Sequence, residues 1–399
     1  MLLGILRETR FPPDRRVPFT PGQLKELEKK FPGLECFIQP SDIRAFSDEE
    51  YREYGITVRE DLSVCDVLMG IKEVSVETLI PGKTYLFFSH TGKKQPHNRN
   101  LLKAIVSRHI TLVDYEYLAD TDGLRLVHFG RWAGIVGAYN GLRAWGERYG
   151  LFLLKPAHQC HDKQEMVKEL PKVKLPAIKI LVSGGGRVAK GAMEMLQHLQ
   201  LQEVEPDDFL IRDFGAAVIC RIDPWHYVKR ADGSDFELNH FFSYPDLYES
   251  TFKPFTRVTD FLIAGHYWNP RSPVFMAPSD IRDPEFRIRV VADISCDVPG
   301  SIPSTIRAAS IAEPFYGYDP LQEREISPFD PRGITVMAVD NLPAELPRDA
   351  SEDFGRMLID RIMSSLACDD MHGIIGKATI VRNGKLTDHF GYLADYIGT

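Results

Sequence analysis

What the sequence has little of narrows the field first. Six cysteines are spread over 399 residues (Cys36, Cys65, Cys160, Cys220, Cys296 and Cys368), with no Cys-x-x-Cys spacing among them. Scattered thiols at that density fit a reducing, cytoplasmic setting and give no disulfide framework. No apolar run approaches the ~18 residues a membrane-spanning helix needs, so no membrane partner is expected. The first residues, MLLGILRETR, lack the basic start and long apolar core of a secretion signal. Positive charge is not in excess: 48 Lys and Arg stand against 56 Asp and Glu, a net charge of −8. That balance argues against a nucleic-acid partner, while a local basic pocket could still hold a small anion. Internal repeats and low-complexity segments are absent. HQCH, at His158 to His161, invites a metal reading, but its ligands crowd too closely for a tetrahedral site without help from elsewhere. It reads as a surface loop, and no metal is expected.

What is present is an ordinary globular composition, 44% hydrophobic and 26% charged, in a chain long enough for roughly two or three domains. Short apolar runs alternate with amphipathic segments. LLGILRE, CFIQ, DVLMGIKE, YLFFSH and HITLVDYE read as strands; TPGQLKELEKKF reads as a helix with Thr20 as N-cap and Pro21 at its first position, and SDEEYREYG as another. This rhythm predicts a mostly parallel sheet whose functional residues sit at strand C-termini. From about Gly134 a helix rich in small residues, IVGAYNGLRAWGERYG, suits a connection between domains. IKILVSGGGRVAKGAMEMLQHL then opens a second βα unit, with later strands expected at Val218–Asp223, Thr259–Ala264, Arg289–Asp293 and Ile334–Asp340. The tail SEDFGRMLIDRIMSSLA has helical spacing and is expected to pack back on the first domain. Residues 230–239 and 321–332 read as surface excursions. The fold class expected is α/β: two Rossmann-like, doubly wound parallel-sheet domains with a cleft between them. Residues 1–137 plus 343–399 form the substrate and catalytic domain, and residues 138–342 the dinucleotide-binding domain.

In the second domain, Gly184-x-Gly186-x-x-Ala189 follows an apolar strand and opens a helix that begins near Arg187 and Val188. Glycines there permit a tight turn and let backbone N–H groups approach a pyrophosphate at a helix N-terminus. The acid that holds the adenosine ribose should end the next strand. Asp223, at the end of VICRID, is the first choice; Asp213 lies at a more usual distance, but FLIRDF looks less like the strand. An acid there favours NAD over NADP, and the neighbouring Arg221 leaves NADP as an alternative.

Charged residues gather at the strand ends of the first domain. Arg7, Glu8 and Arg16 follow the first strand, Lys72 and Glu73 end the third, His90, Lys93 and Gln95 follow the fourth, and Asp114 and Glu116 end the fifth, with Arg125 and Arg131 further on. Taken singly, each pair of neighbours reads as solvated charge. Their joint placement suggests one polar site.

Together these motifs resemble the superfamily of alanine dehydrogenase, transhydrogenase and lysine-forming saccharopine dehydrogenase, through RETR…RRVPFTP, IKE, FSHTGKKQ, DISCD and VDNLPAELPR. Within it, LVDYE, ADISCDVPGSIPST, FYGYDP and AVDNLPAELPRDASEDFG look most like saccharopine dehydrogenase and the lysine–ketoglutarate reductase domain. The resemblance implies an NAD(P)-dependent amino-acid dehydrogenase, with reversible oxidation of saccharopine to L-lysine and 2-oxoglutarate as the first expectation. Oxidative deamination of a small amino acid, or a non-catalytic nucleotide sensor, are the alternatives. Carried over residue by residue, it makes Lys72 and His90 the acid–base pair, and Arg16, Lys93 and Arg125 the contacts to substrate carboxylates. Glu73 and Glu116 become the acids that tune the pair, and Asp297, Asn341 and Leu342 join the cofactor-binding residues. A homo-oligomer is an expectation by analogy alone.

Overall fold

The apolar runs near the N-terminus pair as expected, for a simple reason: the central ones, LLGI, VLMGIK, TYLFF and TLVD, are buried on both faces almost throughout, which suits parallel strands covered by helices. In the computed structural model, which describes residues 1–398, they form β1 (Leu2–Ile5), β2 (Glu35–Ile38), β4 (Val67–Lys72), β5 (Thr84–Phe88) and β6 (Thr111–Asp114), and a two-residue strand the sequence reading did not include, β3 (Thr57–Val58), joins them at the edge. All are parallel, in the order β6-β5-β4-β1-β2-β3. Their C-termini therefore share one edge. Thr20 caps the helix Pro21–Lys30 in a reciprocal capping box with Gln23, and Ser47 caps Asp48–Glu53 in the same way with Glu50.

The chain divides into two units: residues 1–129 with the chain from 347 onward, and residues 130–346. The second unit contains β7 (Lys179–Ser183), β8 (Gln202–Glu203), β9 (Val218–Ile222), β10 (Val228–Arg230), β11 (Tyr248–Ser250), β12 (Phe261–Ala264), β13 (Val290–Asp293), β14 (Phe315–Asp319), β15 (Arg324–Ile326) and β16 (Ile334–Met337). Its large sheet runs β15-β14-β16-β13-β12-β7-β9-β8, with β10 and β11 a separate hairpin. The helix Gly130–Tyr149 packs on this sheet. A Cβ at Gly141 would stand 2.7 Å from the Phe261 ring and 2.9 Å from Ala292 Cβ, so glycine is what lets the helix lie so close.

At Pro347 the chain returns to the first unit as the helix Pro347–Arg361, then adds β17 (Thr379–Arg382) and β18 (Lys385–Leu386) antiparallel beside β6. Phe354 of that helix stacks on Phe129, centroids 4.6 Å apart, and meets Tyr115 edge-on at 5.2 Å.

Both sheets thus have eight strands and are mainly parallel, each carrying an antiparallel pair at one edge. The mostly parallel sheets expected are thus present, with antiparallel edge pairs that the sequence reading did not specify. FLIRDF is not a strand: Pro206–Ile211 is a short helix. The excursion from residue 230 is not wholly solvated, because Phe236 joins Phe241 and Tyr248 in an aromatic cluster on the β10–β11 hairpin. HQCH is not a plain surface loop either. Cys160 is buried, and burial pushes its thiol up to about 11. Among the described residues no group of three or more His, Cys, Asp or Glu is placed to hold a metal, and no helix is long and apolar enough to cross a membrane.

Candidate active site

In the first unit, Lys72 is the last residue of β4, and the backbone that carries it is unusual. The β4–β5 ladder shifts register between Met69 and Lys72. Backbone N–H groups at such an irregularity need other acceptors. Glu8, just after β1, supplies them: its carboxyl oxygens accept the N–H of Ile71 at 2.6 Å and of Lys72 at 3.0 Å. Glu8 is buried, and burial, then the charge of Asp14, raises it to about 8 against the opposing pull of those two N–H groups. Glu8 thus sits at the strand ends as the joint reading expects, whereas Arg7 turns outward to an exposed pair with Glu60.

The Lys72 amine makes no hydrogen bond or ion pair with any described residue. Burial lowers it first, Arg16 second and Arg10 further, against the opposing charges of Asp14 and Glu73, to about 8. Arg16 itself is 2% exposed and donates through Nε and Nη2 to Asp14, at 3.0 and 2.6 Å, with its guanidinium 4.3 Å above the Phe129 ring. Burial works against ionisation of Asp14, but the Arg16 charge overcomes it and holds the carboxyl well below its ordinary range.

His90 follows β5 in a left-handed conformation, φ 53°, which non-glycine residues adopt rarely and at some cost. That turn aims its Nδ1 at Glu73 Oε2, 3.3 Å away, while Arg10 approaches the other Glu73 oxygen at 3.4 Å. Glu73 is raised by burial but lowered more by the His90 hydrogen bond and the Arg10 charge, so it stays ionised. Glu116 repeats the pattern after β6. Lys93 at 2.9 Å and Arg125 at 3.1 Å both reach its Oε1 and outweigh its burial. Beneath these groups, buried Asp114 accepts from Ser89 N and Oγ and from Glu116 N, pinning the loops after β5 and β6 together. Of the residues singled out in the sequence, the structure thus joins Glu73 to His90 and Glu116 to Lys93 and Arg125, and commits Arg16 to Asp14. Sequence reasoning passed over Asp14 and Ser89, and placed Glu8 and Asp114 among the strand-end charges without giving either a role; their only signal was a polar group beside a strand end.

In the second unit, the glycine turn follows β7. Gly184 has φ +105°, and a Cβ there would lie 2.8 Å from Gly265 O. Gly186 is the N-cap of the helix Arg187–Gln197, has no side-chain cap, and has open space where a Cβ would stand. Uncapped N–H groups facing open space at a helix N-terminus fit the pyrophosphate of a dinucleotide. Val188 and Gly191 pack against the helix Gly130–Tyr149: a Cβ at Gly134 would be 1.9 Å from Val188 O, and one at Gly191 2.1 Å from Arg131 O. Asp223 follows β9, and its Oδ1 lies 2.1 Å from the Cβ position of Gly185, against the turn. Asp213 instead acts on Lys179, at the other end of β7. His266 was not anticipated. It is fully buried, bonded to Ser183 at 2.9 Å and Ser301 at 2.7 Å, and burial lowers it to about 3. Asp297 lies in the loop after β13, and Asn341 precedes the turn Leu342–Glu345. The Leu342 side chain is buried against Gly137, which leaves its backbone for any ligand contact.

With this geometry in view, the comparisons with known proteins are specific. Residues 4–136 match the alanine dehydrogenase/PNT N-terminal domain. Those residues belong to that family. They hold the end of β1, all of β2 to β6 and every residue of the Lys72–His90 cluster. Over 432 aligned positions the chain is 32% identical to the mitochondrial alpha-aminoadipic semialdehyde synthase of Mus musculus, covering 95% of this chain and 46% of that protein. The chain therefore spans about half the length of that curated relative. It is 24% identical over 371 positions to the saccharopine dehydrogenase (NAD(+), L-lysine-forming) of Neurospora crassa, covering 88% of each. A solved L-alanine dehydrogenase superposes over 100% of this chain and 99% of its own, with a TM-score of 0.66 at 16% identity, a likeness of fold. The alanine dehydrogenase-like α/β fold is thus shared by the whole chain.

Proposed function

We propose that the protein is an NAD(P)-dependent amino-acid dehydrogenase that interconverts saccharopine and water with L-lysine and 2-oxoglutarate. The observation that carries this reading is the Lys72 amine, unpaired, largely buried and lowered to about 8, beside the Glu73–His90 pair. The likeness to a saccharopine dehydrogenase over most of both chains supports the choice of substrate.

A secondary amine gives up hydride only after losing its proton, and Lys72 in its neutral form takes that proton. When bound, the dinucleotide supplies the hydride acceptor, held by the glycine turn and by Asp223. The substrate imine then adds water, and collapse of the resulting carbinolamine to amine and ketone needs further proton transfers, which His90 carries. Overall, saccharopine, water and oxidised dinucleotide become lysine, 2-oxoglutarate, reduced dinucleotide and one proton. Glu73 and Glu116 remain ionised and fix how much positive charge the site tolerates. Lys93 and Arg125 donate to Glu116 and can share that role with a substrate carboxylate as a cationic wall, while Arg16, held by Asp14, acts on Lys72 through its charge. Saccharopine, with three carboxylates, uses such a wall where alanine, with one, does not.

Purified protein assayed with NAD and either saccharopine or alanine tests the proposal. Reduction of the dinucleotide with saccharopine, at least tenfold above that with alanine, is the expected result on an order-of-magnitude scale of about 1.4 kcal/mol. Turnover of alanine without saccharopine contradicts it.

A further inference from the structure

Beside the glycine turn stands an ion pair whose two members favour opposite cofactors. Asp223 Oδ1 accepts from Arg221 Nη1 at 2.6 Å, and the same Nη1 reaches Gly184 O at 3.3 Å. A Cβ placed on Gly185 would meet Asp223 Oδ1 at 2.1 Å and Arg221 Nη1 at 3.4 Å, so the acid and the guanidinium flank one point of the turn. Arg221 Nε and Nη2 donate to no described residue. Asp223 is mostly buried and Arg221 about one-third exposed, at 12% and 31% of their side-chain surfaces. An acid at this place normally bonds the ribose hydroxyls and repels a 2′-phosphate, while an arginine accommodates that phosphate.

We infer that Arg221 is the specificity-determining residue for NADP(H): by neutralising Asp223 and offering its unused N–H groups, it lets the unit accept a 2′-phosphate as well as a ribose hydroxyl. The inference rests on the proposed dinucleotide role of this unit. With NAD(H), Asp223 keeps Arg221 and accepts the 2′-hydroxyl through Oδ2. With NADP(H), Arg221 turns its free edge to the phosphate in paired hydrogen bonds, and the compensated carboxylate no longer excludes the dianion. The positive charge is needed for one cofactor only.

The test is direct binding, not turnover: dissociation constants of the full chain for NADH and NADPH, read by dinucleotide fluorescence, for the wild type and for Arg221→Gln, Arg221→Lys and Asp223→Asn. The wild type is expected to bind both within about tenfold, and Arg221→Gln to lose about 10- to 100-fold for NADPH while NADH stays within about threefold, the scale of one or two charge-assisted hydrogen bonds. Arg221→Lys, which keeps the charge, retains NADPH binding, and Asp223→Asn weakens NADH and strengthens NADPH. If Arg221→Gln leaves NADPH affinity unchanged, or the wild type binds NADH and excludes NADPH, the inference is overturned and the dehydrogenase proposal stands. If neither dinucleotide binds, both fall.

Discussion

Glu8 shows what a single residue can hide from the sequence. Its neighbours, Arg7 and Arg10, suggest a solvated charge, yet it is buried because the register shift in β4 leaves two N–H groups in want of an acceptor. Nothing in RETR announces a distortion three strands later in the chain. Lys72 and His90 were legible, by contrast, because parallel strands bring their C-termini to one edge whatever lies between them. Glu8 also makes a stability prediction. Its carboxyl keeps its proton to about pH 8 when folded and loses it near the ordinary 4.5 when unfolded. The folded state binds the extra proton in that window, so this contribution is fully present below about 4.5 and is lost as pH rises through 8. Glu8→Gln removes the dependence but has one acceptor oxygen for two N–H groups, a loss of about 1–3 kcal/mol. In urea unfolding, the variant is expected to be clearly less stable than the wild type at acid pH, with the gap narrowing toward pH 9. A gap that widens with pH contradicts the assignment.

At the scale of elements, helix caps and the buried parallel strands could be read from the chain because their signals are local: Thr20 three residues before Gln23, or an apolar run between polar turns. The antiparallel edge strands could not. β17 and β18 are four and two residues long, and β14 lies in FYGYDP, where aromatic residues and a glycine give no clear alternation. The small residues of the helix Gly130–Tyr149 were visible as a pattern, and the structure supplies their cause. Gly134 and Gly191 let two helix backbones touch, with no room for a side chain at either. Gly134→Val is therefore expected to destabilise the second unit by about 1–3 kcal/mol or more, lowering its Tm by on the order of 5 °C. An unchanged melting curve would show that the helices can separate at no cost. The first unit, which lacks this contact, should melt as before.

Over the whole molecule, two similar eight-stranded sheets carry different chemistry at corresponding places, the C-terminal ends of their parallel strands. One presents protonatable and cationic side chains, the other an uncapped helix and small residues. The alternation of strands and helices made that architecture legible, and the motif spacing located both sets of residues. What the alternation could not give was which charges pair, because pairing is decided by side chains that meet only after the strands are in order. Arg16 shows this most clearly: expected at a substrate carboxylate, it is bonded to Asp14 and acts on Lys72 through its charge. The central claim is that Lys72 carries the proton in oxidation of a secondary amine. It is tested most directly by the pH profile of kcat/KM for saccharopine in the wild type and in Lys72→Met. The wild-type value should rise with pH and level off above about 8, as the amine loses its proton. Lys72→Met should lose about 10²- to 10⁴-fold and lack that limb. A variant with wild-type kcat/KM and an unaltered rise through pH 8 would contradict the account.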